Sequence, residues 1–285
     1  SRYSGESQDF IRWKRSWNFW RCKRMEKEAA VNRASFSVGE KGVPMQLQKL
    51  LSLVRQAVDR YNMIAEGDKI AVGVSGGKDS LTLLYALKKL SQFYPKHFTV
   101  CAICVDLGYD NTDFTGIDEF CRNLDVPLTL ISTQIGKIVM DERKESNPCS
   151  LCAKLRKGAL VDEAVRLGCT RIAYAHHKDD FVETMLMSMI FQGKFYAFPP
   201  VTLFEDKNLR VIRPLMLVEE SQVKGFVKRQ EFPVLKSPCP IDGTTKRAYA
   251  KALVAQLQRE HPGTKERLFH AITEGKIEDW NLPGV

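Results

Sequence analysis

Lys69-Ile70-Ala71-Val72-Gly73-Val74-Ser75-Gly76-Gly77-Lys78-Asp79-Ser80 joins a predicted strand to a predicted helix through a glycine-rich loop. Its first half, residues 68–74, is short, apolar and rich in β-branched side chains, the composition of a buried strand. Its second half has almost no side-chain bulk and leads into residues 80–90, which have helical character. A strand that enters a helix through such a loop can close backbone N–H groups around phosphate oxygens, and the helix N-terminus adds its positive dipole. Lys78 supplies a mobile cation. The Walker A pattern does not fit, because Asp79 follows the lysine where Ser or Thr is required and the glycine spacing is wrong.

On the N-terminal side of this stretch, apolar residues recur at Leu47, Leu50, Leu51, Val54, Val58 and Tyr61, which predicts one face of a helix over residues 46–62. Further strands are expected at 98–105, 126–131 and 171–175, with helices at 114–123, 153–167 and 183–191. Strands alternating with helices imply βαβ units, hence a mostly parallel sheet covered on both faces. Ligands bind such sheets at the carboxyl ends of the strands. The loops beginning at Ser75, Asp106 and His176 all leave from that end and should converge. Residues 248–272 read as a basic helical tail, with Lys251, Arg259, Lys265 and Arg267.

Eight cysteines are present. No run of 18 to 20 uninterrupted apolar residues suggests a membrane span, and no signal pattern opens the chain, so a cytoplasmic protein without membrane attachment is expected. In a reducing compartment thiols serve metal binding or catalysis rather than a disulfide framework. Cys149 and Cys152 form a CxxC expected in a loop before a helix, where two thiolates can grip one metal centre. Cys239, between Pro238 and Pro240, is a plausible third ligand, with no fourth Cys or His beside it. Cys101 and Cys104 also form a CxxC, but they fall inside a predicted strand. Positions three apart on a strand point to opposite faces, so this pair reads as core packing. Cys121 and Cys169 are isolated and read as small hydrophobes.

The formal charge is +9 and the pI near 9.1. Such a balance suits a polyanionic partner, since neutralising phosphates releases counterions. Residues 1–44 carry ten Lys/Arg against five Asp/Glu and so supply +5 of the total. This segment mixes Trp13, Trp17 and Trp20 with basic residues, a composition able to stack on single-stranded nucleic acid. It also reads as a disordered basic extension or linker ahead of a domain spanning 45–285.

Ser-Gly-Gly-Lys-Asp-Ser resembles the signature of the PP-loop ATP pyrophosphatases, which cut ATP between its α- and β-phosphates to adenylate a carbonyl oxygen. Four motifs in order extend the likeness: this loop; Cys149-Ser-Leu-Cys152-Ala-Lys-Leu-Arg-Lys-Gly158; His176-His177-Lys-Asp179-Asp180-Phe-Val-Glu183-Thr184; and Cys239. Together they resemble the tRNA 2-thiocytidine synthetase family, from about Met45 to about Ile272. The resemblance implies a Rossmann-like, HUP-type α/β domain with helical N- and C-terminal appendages. It implies ATP and Mg²⁺ bound by Ser75, Gly76, Gly77, Lys78, Asp79 and Ser80. Asp79 would orient the Mg²⁺, Asp106 would line the site or merely cap its turn, and Lys78, Asp79 and Asp180 would carry the chemistry. Further, it implies a [4Fe-4S] cluster on Cys149, Cys152 and Cys239 with an iron open to sulfide, tRNA as substrate at cytidine 32, and a sulfur donor such as a cysteine desulfurase. A homodimer is one option for the assembly.

His176 and His177 should face the nucleotide through hydrogen bonds and charge, the alternative being that both cap the next helix. Lys154, Arg156 and Lys157 suit a tRNA backbone or a plain solvated helix face. The zinc-binding cysteine pairs of the related uridine-54 family are missing, and Ala-Tyr-Ala precedes His176 where the family often has glycine. Two competing readings stand beside this one. The first is a lysidine-type tRNA modifier, which needs no cluster; the second is a non-catalytic, ATP- and metal-dependent RNA-binding module.

Overall fold

The computed structural model describes residues 46–109, 112–139, 148–236, 239, 246–275 and 280. The extension over residues 1–44 and the prolines flanking Cys239 lie outside them.

The chain enters through α1 (Leu47–Arg60), whose Leu50, Val54, Ala57 and Val58 recur at helical spacing and are all buried. Strand β1 (Asp68–Gly73) follows, then the glycine loop and α2 (Lys78–Ser91). Next come β2 (Phe98–Asp106), α3 (Thr115–Asn123) and β3 (Leu128–Ser132), then α4 (Pro148–Arg166), β4 (Arg171–Ala173) and α5 (Lys178–Gln192). Two short strands, β5 (Val201–Phe204) and β6 (Leu209–Ile212), precede α6 (Glu220–Gln230), α7 (Lys246–Glu260) and α8 (Thr264–Glu274).

The six strands lie in the order β3-β2-β1-β4-β6-β5, all neighbours parallel except β5 against β6. The order reverses between β1 and β4, and at such a switch point loops leave to opposite sides and open a crevice. Alternation along the strands sorts side chains to two faces. Ile70, Val72, Val100 and Ala102 join the larger core, with residues of α1, α2, α5, α6, α7 and α8. Ala71, Cys101, Ile103 and Ile172 join a smaller one, against Leu160, Val161 and Ala164 of α4. Both faces are therefore covered, and the expected mostly parallel architecture is present. None of the described helices is long and apolar enough to cross a membrane.

The structure departs from the sequence-based expectation in three places. Cys149 and Cys152 do not lie in a loop before α4; they are inside its first turns, because Pro148 opens the helix at a position where proline costs no hydrogen bond. Helix α5 starts at Lys178, five residues ahead of the apolar run that predicted it. Its first turn is polar but carries Asp179 and Asp180 against the helix dipole, and His177 and Asp180 close a capping box. The hairpin β5–β6 and helix α6 were not expected at all. Four-residue strands carry too little period-2 pattern, and the turn between them rests on Asn208 in the left-handed region (φ 46°).

Candidate active site

The phosphate-type loop is held open by its own backbone. Gly76 has φ +77°, and a Cβ there would lie 2.9 Å from Leu235 Cδ1 and 3.0 Å from Ile117 Cδ1, so no larger residue fits. Leu235 N donates to Gly76 O at 3.0 Å and ties the loop to the segment leading to Cys239. Ser80 Oγ accepts from Ser75 N (3.2 Å) and donates to Gly77 O (2.9 Å). The N-cap of α2 is Gly77, which offers no capping side chain. The first N–H groups of the helix thus have no side-chain cap, the arrangement that accepts an anion.

Lys78 Nζ lies 2.8 Å from Asp79 Oδ2 and 3.2 Å from Glu220 Oε1. Burial alone would lower its pKa, yet these carboxylates outweigh burial and hold the ammonium above its ordinary value. The other oxygen of Asp79, Oδ1, is buried without a hydrogen-bond partner, and His177 Nε2 is 3.8 Å away. An unpartnered buried carboxylate oxygen is costly unless something cationic occupies its far side, so Asp79 fits a Mg²⁺ ligand.

His177 is buried and caps α5. Its Nδ1 accepts from Asp180 N at 3.3 Å, while Asp180 Oδ2 accepts from His177 N at 2.9 Å. Asp180 Oδ1 and Glu183 Oε2 each meet Arg247 Nη1 at 3.2 Å, and Arg247 Nη2 donates to Thr184 Oγ1. Burial pushes both carboxyls up, with Arg247 pulling the other way. Asp179 accepts from Glu220 N (2.8 Å) and Lys265 Nζ (3.0 Å), which staples α5, α6 and α8 together.

His176 takes a different set of partners. Its ring stacks on Phe198 (centroids 4.3 Å apart, 16° between planes), and Nδ1 accepts from Arg213 Nε at 3.3 Å. Burial, reinforced by Arg213, pushes its pKa down to about 3, so the ring is neutral. Adjacent histidines thus separate: His177 is brought beside Asp79, and His176 is packed among aromatic rings. The carboxylate of Asp106 accepts from Gly108 N at 2.9 Å and its carbonyl from Thr133 Oγ1 at 2.6 Å, so it caps the turn after β2.

That turn delivers Tyr109 to the cysteines. Burial raises the Tyr109 hydroxyl, and Cys239, Cys152 and Cys149 add to the shift, Cys239 also through a side-chain hydrogen bond. Burial likewise raises the Cys152 thiol, which feels Arg156, Cys239 and Cys149. Thiols from two distant segments, the start of α4 and Cys239, therefore act electrostatically on one phenol, and that of Cys239 is hydrogen-bonded to it. A Cβ at Gly136 would lie 2.9 Å from the Tyr109 ring, so glycine makes room for it. Among the described residues no three His, Cys, Asp or Glu side chains are drawn tightly enough for a single metal ion. Lys154, Arg156 and Lys157 are exposed, and Lys157 lies over the Phe204 ring at 4.5 Å. Cys101 and Cys104 are buried in β2, as packing residues are, but Cys169 is not isolated: its Sγ is 3.6 Å from that of Cys101.

Sequence reasoning missed Tyr109, Glu220 and Arg247. For Glu220 a signal existed, since the acidic pair Glu219-Glu220 is what a helix N-terminus favours. Arg247 and Tyr109 stand in no motif and are identified only by their contacts.

Residues 46–254 match the family model described as the PP-loop domain. The tRNA-cytidine(32) 2-sulfurtransferase of Geobacter sulfurreducens is 37% identical over 231 residues, covering 80% of this chain and 90% of that protein. Its counterpart in Anaeromyxobacter dehalogenans is 36% identical, covering 79% of this chain and 78% of that protein. Among solved structures, the U34-tRNA thiolase NcsA from Methanococcus maripaludis with its [4Fe-4S] cluster superposes with a TM-score of 0.63 at 25% identity, covering 80% of this chain and 78% of that one. With nearly the whole length of a curated relative matched at this identity, the chain belongs to the PP-loop family and, within it, to the tRNA-cytidine(32) 2-sulfurtransferases.

Proposed function

We propose that this protein uses ATP to replace the C2 oxygen of cytidine 32 in tRNA with sulfur. The observation that carries the reading is that Cys149, Cys152 and Cys239 all act on the Tyr109 hydroxyl, Cys239 through a hydrogen bond, in a chain whose neighbouring strand ends in a phosphate-type loop. A lysidine-type enzyme would have no use for three such thiols.

The loop from Ser75 to Ser80 receives the phosphates of ATP, and Lys78 and the α2 N-terminus neutralise them. Asp79, whose buried Oδ1 has no hydrogen-bond partner, would hold Mg²⁺. The cytidine C2 oxygen attacks the α-phosphorus, pyrophosphate leaves, and the oxygen later departs within AMP. Asp180, fixed by His177 and Arg247, presents a partly buried carboxylate beside these groups. Cys149, Cys152 and Cys239 fit a [4Fe-4S] cluster in their donor chemistry, and when bound it would supply an iron able to take up sulfide. Tyr109 orients Cys239 through its hydroxyl. Sulfur comes from a donor such as a cysteine desulfurase, and the work is done in the cytoplasm, by a homodimer if two copies associate.

Mass spectrometry of tRNA nucleosides from a strain lacking this protein tests the reading. Loss of 2-thiocytidine is expected, together with tRNA-dependent AMP and pyrophosphate release by the purified protein. Unchanged 2-thiocytidine, or loss of another thionucleoside instead, refutes it.

A further inference from the structure

A carboxylate stands where phosphate is expected. Glu220 opens α6 with its side chain only 12% exposed, and three ammonium groups converge on it. Lys251 Nζ is 2.7 Å from Oε2, while Lys78 Nζ and Lys224 Nζ are each 3.2 Å from Oε1. One of these is the lysine of the phosphate-type loop; another comes from α7. Even with Asp79 counted, three ammonium groups share two carboxylates, an arrangement whose mutual repulsion favours a more highly charged anion. These contacts hold Glu220 far below the ordinary carboxylate range, at about 2, against the upward push of burial.

We propose that Glu220 is a resident stand-in for the terminal phosphates of ATP, and that Lys251 joins Lys78 in binding the pyrophosphate portion once the nucleotide displaces Glu220. The inference rests on reading the loop as the ATP site. A triphosphate brings several charges and many acceptor oxygens to ammonium groups that share single carboxylate oxygens in its absence. The displaced carboxylate keeps a partner, because Lys224 lies one turn along the same helix and is 55% exposed, so the two can swing outward together. AMP lacks the β- and γ-phosphates and cannot make the exchange. The same residues would then favour ATP entry and AMP departure.

Calorimetric titration of the full-length protein with ATP, inorganic pyrophosphate and AMP, in Mg²⁺ buffer, tests this. Glu220→Gln preserves side-chain shape and should tighten ATP and pyrophosphate by roughly three- to tenfold while leaving AMP unchanged, the size of one partly buried charge contact. Lys251→Ala should weaken ATP and pyrophosphate by a similar factor, in the wild-type and in the Glu220→Gln background alike. Unchanged or weaker ATP binding in Glu220→Gln overturns the proposal, as does equal tightening of AMP. A Lys251→Ala effect that vanishes in the Glu220→Gln background overturns the role of Lys251, which would then merely neutralise Glu220. Wild-type protein that binds neither ATP nor pyrophosphate would instead overturn the nucleotide reading as a whole.

Discussion

Arg247→Ala removes the cation shared by two carboxylates, one buried (Glu183) and one partly buried (Asp180). The arginine reaches Asp180 Oδ1 and Glu183 Oε2 at 3.2 Å each and donates to Thr184 Oγ1 at 3.2 Å. Breaking a fully buried pair costs roughly 3–5 kcal/mol, because the surviving charge stays behind unpaired. Here the Arg247 side chain is 38% exposed, so water already screens part of the attraction and the expected loss falls to about 1–2 kcal/mol. For a domain of this size that corresponds to a Tm about 2–8 °C lower at neutral pH. The loss should depend on pH in a definite direction. Burial holds both carboxyl pKa values above their unfolded values, so the native state binds more protons and these groups cost stability as pH rises through that window. Without Arg247 the cost at neutral pH grows, and acid relieves it by protonating the carboxyls. Thermal melts of the two proteins should therefore draw together as the pH is lowered from neutrality toward the ordinary carboxylate range. A gap of less than about 1 °C at neutral pH, or one that is the same at both ends, would refute the reasoning.

Three further outcomes follow from the same geometry. Lys78→Ala should abolish AMP formation with the fold and iron content intact, since Lys78 pairs with Asp79 and Glu220 and has no part in the cysteine set; a radiolabelled AMP assay beside iron analysis checks this. Cys239→Ala should lose anaerobically reconstituted iron and tRNA thiolation while still binding ATP; a variant that keeps its full iron content would remove Cys239 from the ligand set. Replacing Cys101 and Cys104 together by Ala should lower stability by about 1–2 kcal/mol through lost packing, as both are buried in β2, and leave iron unchanged. Loss of iron without unfolding would show that the wrong CxxC had been assigned.

The parts of this protein legible in its sequence are those set by neighbours along the chain. Ser75 to Ser80 announces a phosphate loop because a strand, two glycines and a helix start follow one another directly, and no distant residue is needed to see it. Short apolar runs announce β1 and β2, and a helical spacing of apolar residues announces α1, for the same reason, and position within a strand was enough to mark Cys101 and Cys104 as packing residues. The sequence left His176 and His177 sharing one role; which of them meets Asp79 was decided by the partners of the other, Phe198 and Arg213. Tertiary structure alone decided which far-separated side chains meet. Lys78 with Glu220 and Lys251, Asp180 with Arg247, and Tyr109 with Cys239 are brought together by a mostly parallel sheet in which the C-terminal ends of β1, β2, β3, β4 and β6 lie on one side. Helices α6, α7 and α8 pack in the larger core beside α2 and α5 and supply Glu220, Arg247, Lys251 and Lys265. Ion pairs and hydrogen bonds act over a few ångströms of space and carry no mark in sequence spacing, so the loop could be read from the chain, but the charges and thiols around it could not be assigned to one another until the chain was folded.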